Sequence, residues 1–111
     1  DPVSNILFSG DLGASFEDNE NLSDPVTDFT SHIPYMMGFH RRFMGSNKIL
    51  RLWVNMVREM NPDWVVPQHG RSFKGKDVID ELLNWLDDLQ CGIDLMTQDD
   101  YQLPKRPSGW M

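Results

Sequence analysis

Cysteine is nearly absent from this chain of 111 residues, where Cys91 stands alone. A lone cysteine excludes an internal disulfide and any cluster of thiolate ligands. It fits a reducing compartment, so a cytoplasmic location is expected. Histidine is scarce too, with only His32, His40 and His69. No apolar run approaches the roughly 20 residues that a membrane-spanning helix requires, and no signal-peptide pattern opens the chain. Lysine and arginine are missing from positions 1–40, which hold seven acids (Asp1, Asp11, Glu17, Asp18, Glu20, Asp24 and Asp28). Positions 41–111 balance ten acids against ten bases, so the net charge of −7 sits in the first third. Without a basic footprint, nucleic-acid binding is not expected. The acidic run reads as a solvated loop, with an acidic rim over a cationic centre as the sharper alternative. An initial methionine is also lacking, and residue 1 is Asp; a fragment or a processed product is therefore expected.

What the chain does contain is enough for one folded domain: 40% hydrophobic residues and four tryptophans. Two stretches share one grammar. Trp64-Val65-Val66 is bulky and β-favouring, and Pro67 ends its pairing before His69 and Gly70 turn the chain. Ile6-Leu7-Phe8 likewise leads into Ser9-Gly10-Asp11, with glycines on both sides of the carboxylate. Each is predicted to be a strand that delivers one polar side chain to a turn. Residues 16–30 show no period and are expected to form a long surface loop.

A first helix is predicted to begin near Ser31, with Ser31 or His32 at its cap and Pro34 in the first turn, and to stop at Gly45. Ser46 or Asn47 caps a second, whose apolar positions are Ile49, Leu50, Trp53, Val54, Met56, Val57 and Met60. Asn61-Pro62-Asp63 breaks it. A third runs from about Lys76 to Gln90 on a stripe of Val78, Ile79, Leu82, Leu83, Leu86 and Leu89, with Gly92 as its left-handed stop. The tail from Thr97 is expected to be irregular. This order of elements is an α/β arrangement, and three amphipathic helices offer more apolar surface than two strands can cover.

Asp11 and His69 form the chemical centre on this reading. A carboxylate and an imidazole suit iron, zinc or manganese, although each residue would equally serve as a turn-former beside glycine. His40 falls on an apolar stripe with Met37, Phe43 and Met44, as a core histidine or as a residue that orients metal ligands. Tyr35 is expected in the core, or lining an oxygen pocket. His32 is expected at the surface. Arg41 and Arg42 complement a helix end, Arg71 and Lys74 read as solvated loop charges, and Cys91 as an inert buried thiol.

The segments FSGDLGAS and VVPQHGRSFKG, in this order and with helices between, resemble the C-terminal half of a metallo-β-lactamase-fold domain. More narrowly, they are similar to flavodiiron proteins and the oxygen-binding diiron proteins, over most of residues 5–95. The resemblance implies half of an αββα sandwich. It also implies that Asp11 bridges two iron ions and His69 binds one of them, with His40 and Tyr35 as candidates to orient those ligands. The H-x-E-x-D-H motif that carries the remaining ligands in that family, or H-x-H-x-D-H in its zinc hydrolases, does not occur in the 111 residues, and neither does a flavodoxin-like domain. A dinuclear site takes about three to four protein ligands per ion. The fragment alone is therefore expected neither to hold a stable metal pair nor to turn over substrate. Implied partners are the missing N-terminal half, dioxygen or nitric oxide, and further copies of the chain through self-association. The implied parent is a diiron oxidoreductase that binds or reduces dioxygen. The alternatives are a dinuclear zinc hydrolase and a non-enzymatic oxygen-sensing module.

Overall fold

The computed structural model describes residues 4–17, 24–101 and 103. Its sheet has three strands in the order β1-β2-β3: β1 (Ile6–Gly10), β2 (Trp64–Pro67) and β3 (Phe73–Lys74). β1 and β2 run parallel, with Leu7 beside Val65, Phe8 beside Val66 and Gly10 beside Pro67. The connection between them carries two helices, as a parallel pair requires a long crossover. β3 returns antiparallel to β2, placing Val65 beside Phe73. The mixed α/β class expected from the sequence is thus observed. The third strand was not anticipated, because two residues carry no readable period.

Helix α1 (Phe29–Phe43) begins earlier than expected. Asp28 is its cap, accepting from the Ser31 backbone N–H. Pro34 accordingly lies beyond the first turn, and the helix ends at Phe43 with Met44 extended, one residue before Gly45 is reached. α2 (Asn47–Met60) is capped by Ser46 and stopped by Asn61 in the left-handed conformation. α3 (Lys76–Asp88) ends before Gln90; Gly92 instead opens a short 3-10 turn (Gly92–Leu95), which a second such turn (Gln98–Tyr101) follows. Positions 18–23 of the expected acidic loop, and most of the tail after Tyr101, lie outside the described residues.

The core lies between one sheet face and the helices. Val65 and Phe73 meet Leu50, Val54 and Val57 of α2, Met36 of α1, and Ile79, Leu82 and Leu86 of α3. α3 buries its whole expected stripe. α2 buries a narrower one: Ile49, Met56 and Met60, expected inside, are exposed together with Leu52. The opposite sheet face is uncovered among the described residues, where Phe8 is 68% exposed beside Val66. Asn47 ties the layers together. Its amide donates to the carbonyls of Asp87 and Leu89 at 2.8 Å each, so the first residue of α2 closes the end of α3. No helix among the described residues is long and apolar enough to cross a membrane.

Candidate metal centre

The parallel register decides where Asp11 and His69 emerge. Gly10 lies opposite Pro67, and the Gln68 N–H donates to the Gly10 carbonyl at 2.6 Å. Asp11 and His69 therefore leave the carboxyl ends of adjacent parallel strands at one sheet edge, where open α/β sheets form their ligand crevices. Both are exposed. One carboxylate and one imidazole make a hard-to-borderline donor pair that fits iron or zinc, but only as part of a ligand set. Among the described residues, no three His, Cys, Asp or Glu side chains converge.

His40 is fully buried behind the Asp11 turn. Its Nε2 accepts the Gly13 N–H at 3.0 Å, and Nδ1 lies 2.8 Å from the Met36 carbonyl. That pattern assigns the neutral ring with the proton on Nδ1, donating to Met36. Burial pushes the imidazole below its ordinary pKa, opposed by the Met36 hydrogen bond and by the Asp11 charge. Gly13 at φ +86° sits so close to the Phe73 ring that a β-carbon would lie 3.0 Å from it. The Asp11 turn is thus pinned to α1 by a histidine and to β3 by contact.

The His69 turn is gripped by a different device. Residues 14–17 cross it as a strap. The Ser15 N–H donates to the His69 carbonyl at 3.2 Å, and the Ser15 hydroxyl accepts the Arg71 N–H at 3.3 Å. Gly70 between them, at φ +92°, leaves no room for a β-carbon, which would fall 2.1 Å from Ser15 Oγ and within 2.7 Å of the Ser15 backbone. The Phe16 ring stacks on the His69 imidazole at 6.0 Å between centroids, and the Phe16 N–H donates to the Tyr35 carbonyl of α1 at 3.1 Å.

Three expectations need correction here. His32, expected at the surface, is 2% exposed, with the edge of its ring against Phe73 at 5.8 Å. β3 and the strap cover it, and neither is local in sequence. Tyr35, expected in the core, is 43% exposed, and it reaches the strap through its carbonyl rather than its ring. Arg71, expected to be solvated, is half-buried and donates to the carbonyls of Asp24 at 2.9 Å and Pro25 at 2.7 Å. Glu17 departs from the solvated acidic run as well. Its carboxylate is buried, with Oε1 3.7 Å from His32 Nδ1 and 3.8 Å from an Arg71 guanidinium nitrogen. An acid inside a run of acids gives no sequence signal of burial. By contrast, Cys91 is fully buried as expected, and burial pushes its thiol pKa up.

Comparison with known proteins bears on the fold and the family. Two solved structures are similar: "Peroxy diiron species of chemotaxis sensor ODP", at 47% identity and TM-score 0.77, and "Apo state of chemotaxis sensor ODP from T. denticola", at 44% identity and TM-score 0.80. The first match covers 83% of this chain and the second 90%, while the chain spans only 38% and 40% of those two proteins. No curated protein sequence matches. The model of the ODP family of β-lactamase-like proteins matches residues 1–70, and the chain belongs to that family.

Proposed function

We propose that this chain supplies one wall of a non-haem diiron centre in an oxygen-binding sensor protein. The observation that carries this reading is the exit of Asp11 and His69 from neighbouring parallel strands at a single edge. Asp11 would offer its carboxylate to both ions, and His69 would offer a ring nitrogen to one of them. When bound, the iron pair supplies the redox chemistry toward dioxygen, with nitric oxide as a second diatomic candidate. His40 holds the Asp11 turn in place through Gly13, and Phe16 limits the swing of the His69 ring. Tyr35 stands at the rim, where its ring can line the approach.

Two donors do not complete a dinuclear site, so the remaining ligands come from polypeptide beyond these 111 residues. The open sheet face around Phe8 and Val66 supports a covering half of the same domain, giving an αββα sandwich. Self-association through that face is the alternative cover when the chain stands alone. The buried thiol of Cys91 suits a reducing compartment, which we take to be the cytoplasm. The sensor titles of both relatives favour oxygen sensing over turnover.

Metal analysis of the longer protein is the test. Iron near two ions per chain, with visible absorption that appears on oxygenation and reverses without turnover, is the expected result. Colourless zinc in its place would overturn the diiron reading and favour the dinuclear zinc hydrolase. Asp11→Ala should lower iron content more than His69→Ala, because a bridging carboxylate holds both ions.

A further inference from the structure

We propose that Glu17 is a positioning residue for the His69 imidazole, held between His32 of α1 and Arg71 of the His69 turn. This rests on the reading of His69 as a metal ligand. The argument begins with a cost. A carboxylate withdrawn from water loses its hydration and is retained only where neighbouring charges and donors offset that loss. The Glu17 side chain is 2% exposed, and its Oε1 lies within 3.8 Å of both an imidazole and a guanidinium. His32 is buried equally deeply, and among the described residues neither of its ring nitrogens has a hydrogen-bond partner. A core built for stability alone would place apolar groups here. The cluster spends stability on fixing three segments against one another.

Those three segments converge on His69. Glu17 follows Phe16, whose ring covers one face of the imidazole, and Phe16 follows Ser15, which bonds to both flanks of the turn. Arg71 is two residues beyond His69 and is locked by the Asp24 and Pro25 carbonyls. With Glu17 seated against Arg71, the strap cannot lift without breaking a buried ion pair. Without that ion pair, the strap keeps the Ser15 bonds, the Phe16–Tyr35 backbone bond and the Phe16–Phe39 ring contact at 5.5 Å, and is held less firmly. The imidazole then loses its stacking partner and gains rotational freedom. The expected effect matches that of other residues that orient ligands, about tenfold in metal affinity.

The experiment uses the 111-residue chain, its Glu17→Gln variant and the Glu17→Asp variant, followed by NMR of the three histidine rings. Without metal, the wild-type chain should show a cross-relaxation contact between the Phe16 and His69 rings. Glu17→Gln should lose it and Glu17→Asp should restore part of it. With Co²⁺ as the probe, the concentration that broadens the His69 ring signals by half should rise about tenfold in Glu17→Gln. An unchanged ring contact and an unchanged Co²⁺ response in Glu17→Gln would overturn the proposal. Should wild-type His69 broaden no more than buried His32, the two donors of this chain do not hold Co²⁺ by themselves, the ligand reading passes to iron analysis of the longer protein, and the metal-free ring contact decides the role of Glu17. If Glu17→Gln does not fold by circular dichroism, Arg71→Met carries the same test. It removes the charge beside Glu17, so the same loss of ring contact is expected, and its retention would overturn the proposal.

Discussion

Two buried histidines stand on α1 eight positions apart, about 12 Å along the helix, and each faces one of the two candidate ligand turns. His40 meets the Asp11 turn with both ring nitrogens bonded to backbone, a neutral and complete arrangement. His32 meets the strap over the His69 turn with neither nitrogen bonded, among a carboxylate and a guanidinium. One side of the site is fixed by short hydrogen bonds that act over a defined direction. The other is fixed by charge and by backbone crossing at close quarters. The two sides should therefore break in different ways.

The largest effect is expected at the backbone crossing. Gly70→Ala forces a β-carbon into the Ser15 backbone and keeps a left-handed φ that alanine resists. Strain and overpacking together should cost about 3 kcal/mol or more. Gly13→Ala, on the other side, crowds the edge of the Phe73 ring at 3.0 Å, which has to tilt by a few tenths of an ångström, and makes an ordinary contact with Leu82 at 3.7 Å. It should cost about half as much, chiefly from its positive φ. Urea denaturation of both variants checks the order, and a larger loss at Gly13 would reverse the assignment of which turn is the more tightly held.

Next come the histidines themselves. His40→Leu strands the Gly13 N–H inside the core, while the Met36 carbonyl keeps its helical bond, and should cost about 1–3 kcal/mol by the usual penalty for a buried orphaned group. His32→Leu gives up no hydrogen bond and fills a similar volume, so its cost should stay within about 1 kcal/mol. Equal losses in thermal or urea unfolding would erase the distinction between the two sites.

The sequence foretold these two sides unequally. Asp11 and His69 were legible because each ends a short apolar strand at a glycine, a local pattern that needs no knowledge of the rest of the chain. Helix α3 was legible for the same reason, since its leucines recur at one period on one face. What local pattern could not supply was burial created by distant segments. His32 is hidden by Phe73, 41 positions later, and by the strap. Glu17 sits in a run of acids whose other members offer no contrast. α2 misled in the opposite sense: its apolar residues are too many for the surface α3 and the sheet present, so Ile49, Leu52, Met56 and Met60 remain outside. The start of α1 was missed because Pro34 drew the boundary toward itself, whereas Asp28 and Ser31 already carried the capping pattern.

Acid should sharpen the comparison further. Burial lowers the pKa of both histidines, ahead of any opposing charge. The folded state therefore binds the proton less readily than the unfolded chain. Their contribution to stability is complete above the ordinary histidine value of about 6.5 and is lost as pH falls below it. The slope should approach about 1.4 kcal/mol per pH unit for each histidine that stays neutral in the fold. Unfolding measured between pH 7.5 and about 5 should show both contributions in the wild-type chain and one in His40→Leu. A stability independent of pH over that range would mean that neither ring is held neutral.

The smallest effect is expected where the helix carrying both histidines is itself unconstrained. Gly38 lies in α1 between Tyr35 and His40, exposed, with nothing within 4 Å of where a β-carbon would point. Alanine there lowers the entropy of the unfolded chain and should stabilise the protein by about 0.5–1 kcal/mol. It should leave the His40 bonds to Gly13 and Met36 and the Glu17 cluster as they are, because it stiffens their common support without touching either. If Gly38→Ala instead loosens the Phe16–His69 ring contact while raising stability, then α1 must bend at Gly38 to serve both turns at once, and the two sides of the site are coupled through the helix rather than held independently.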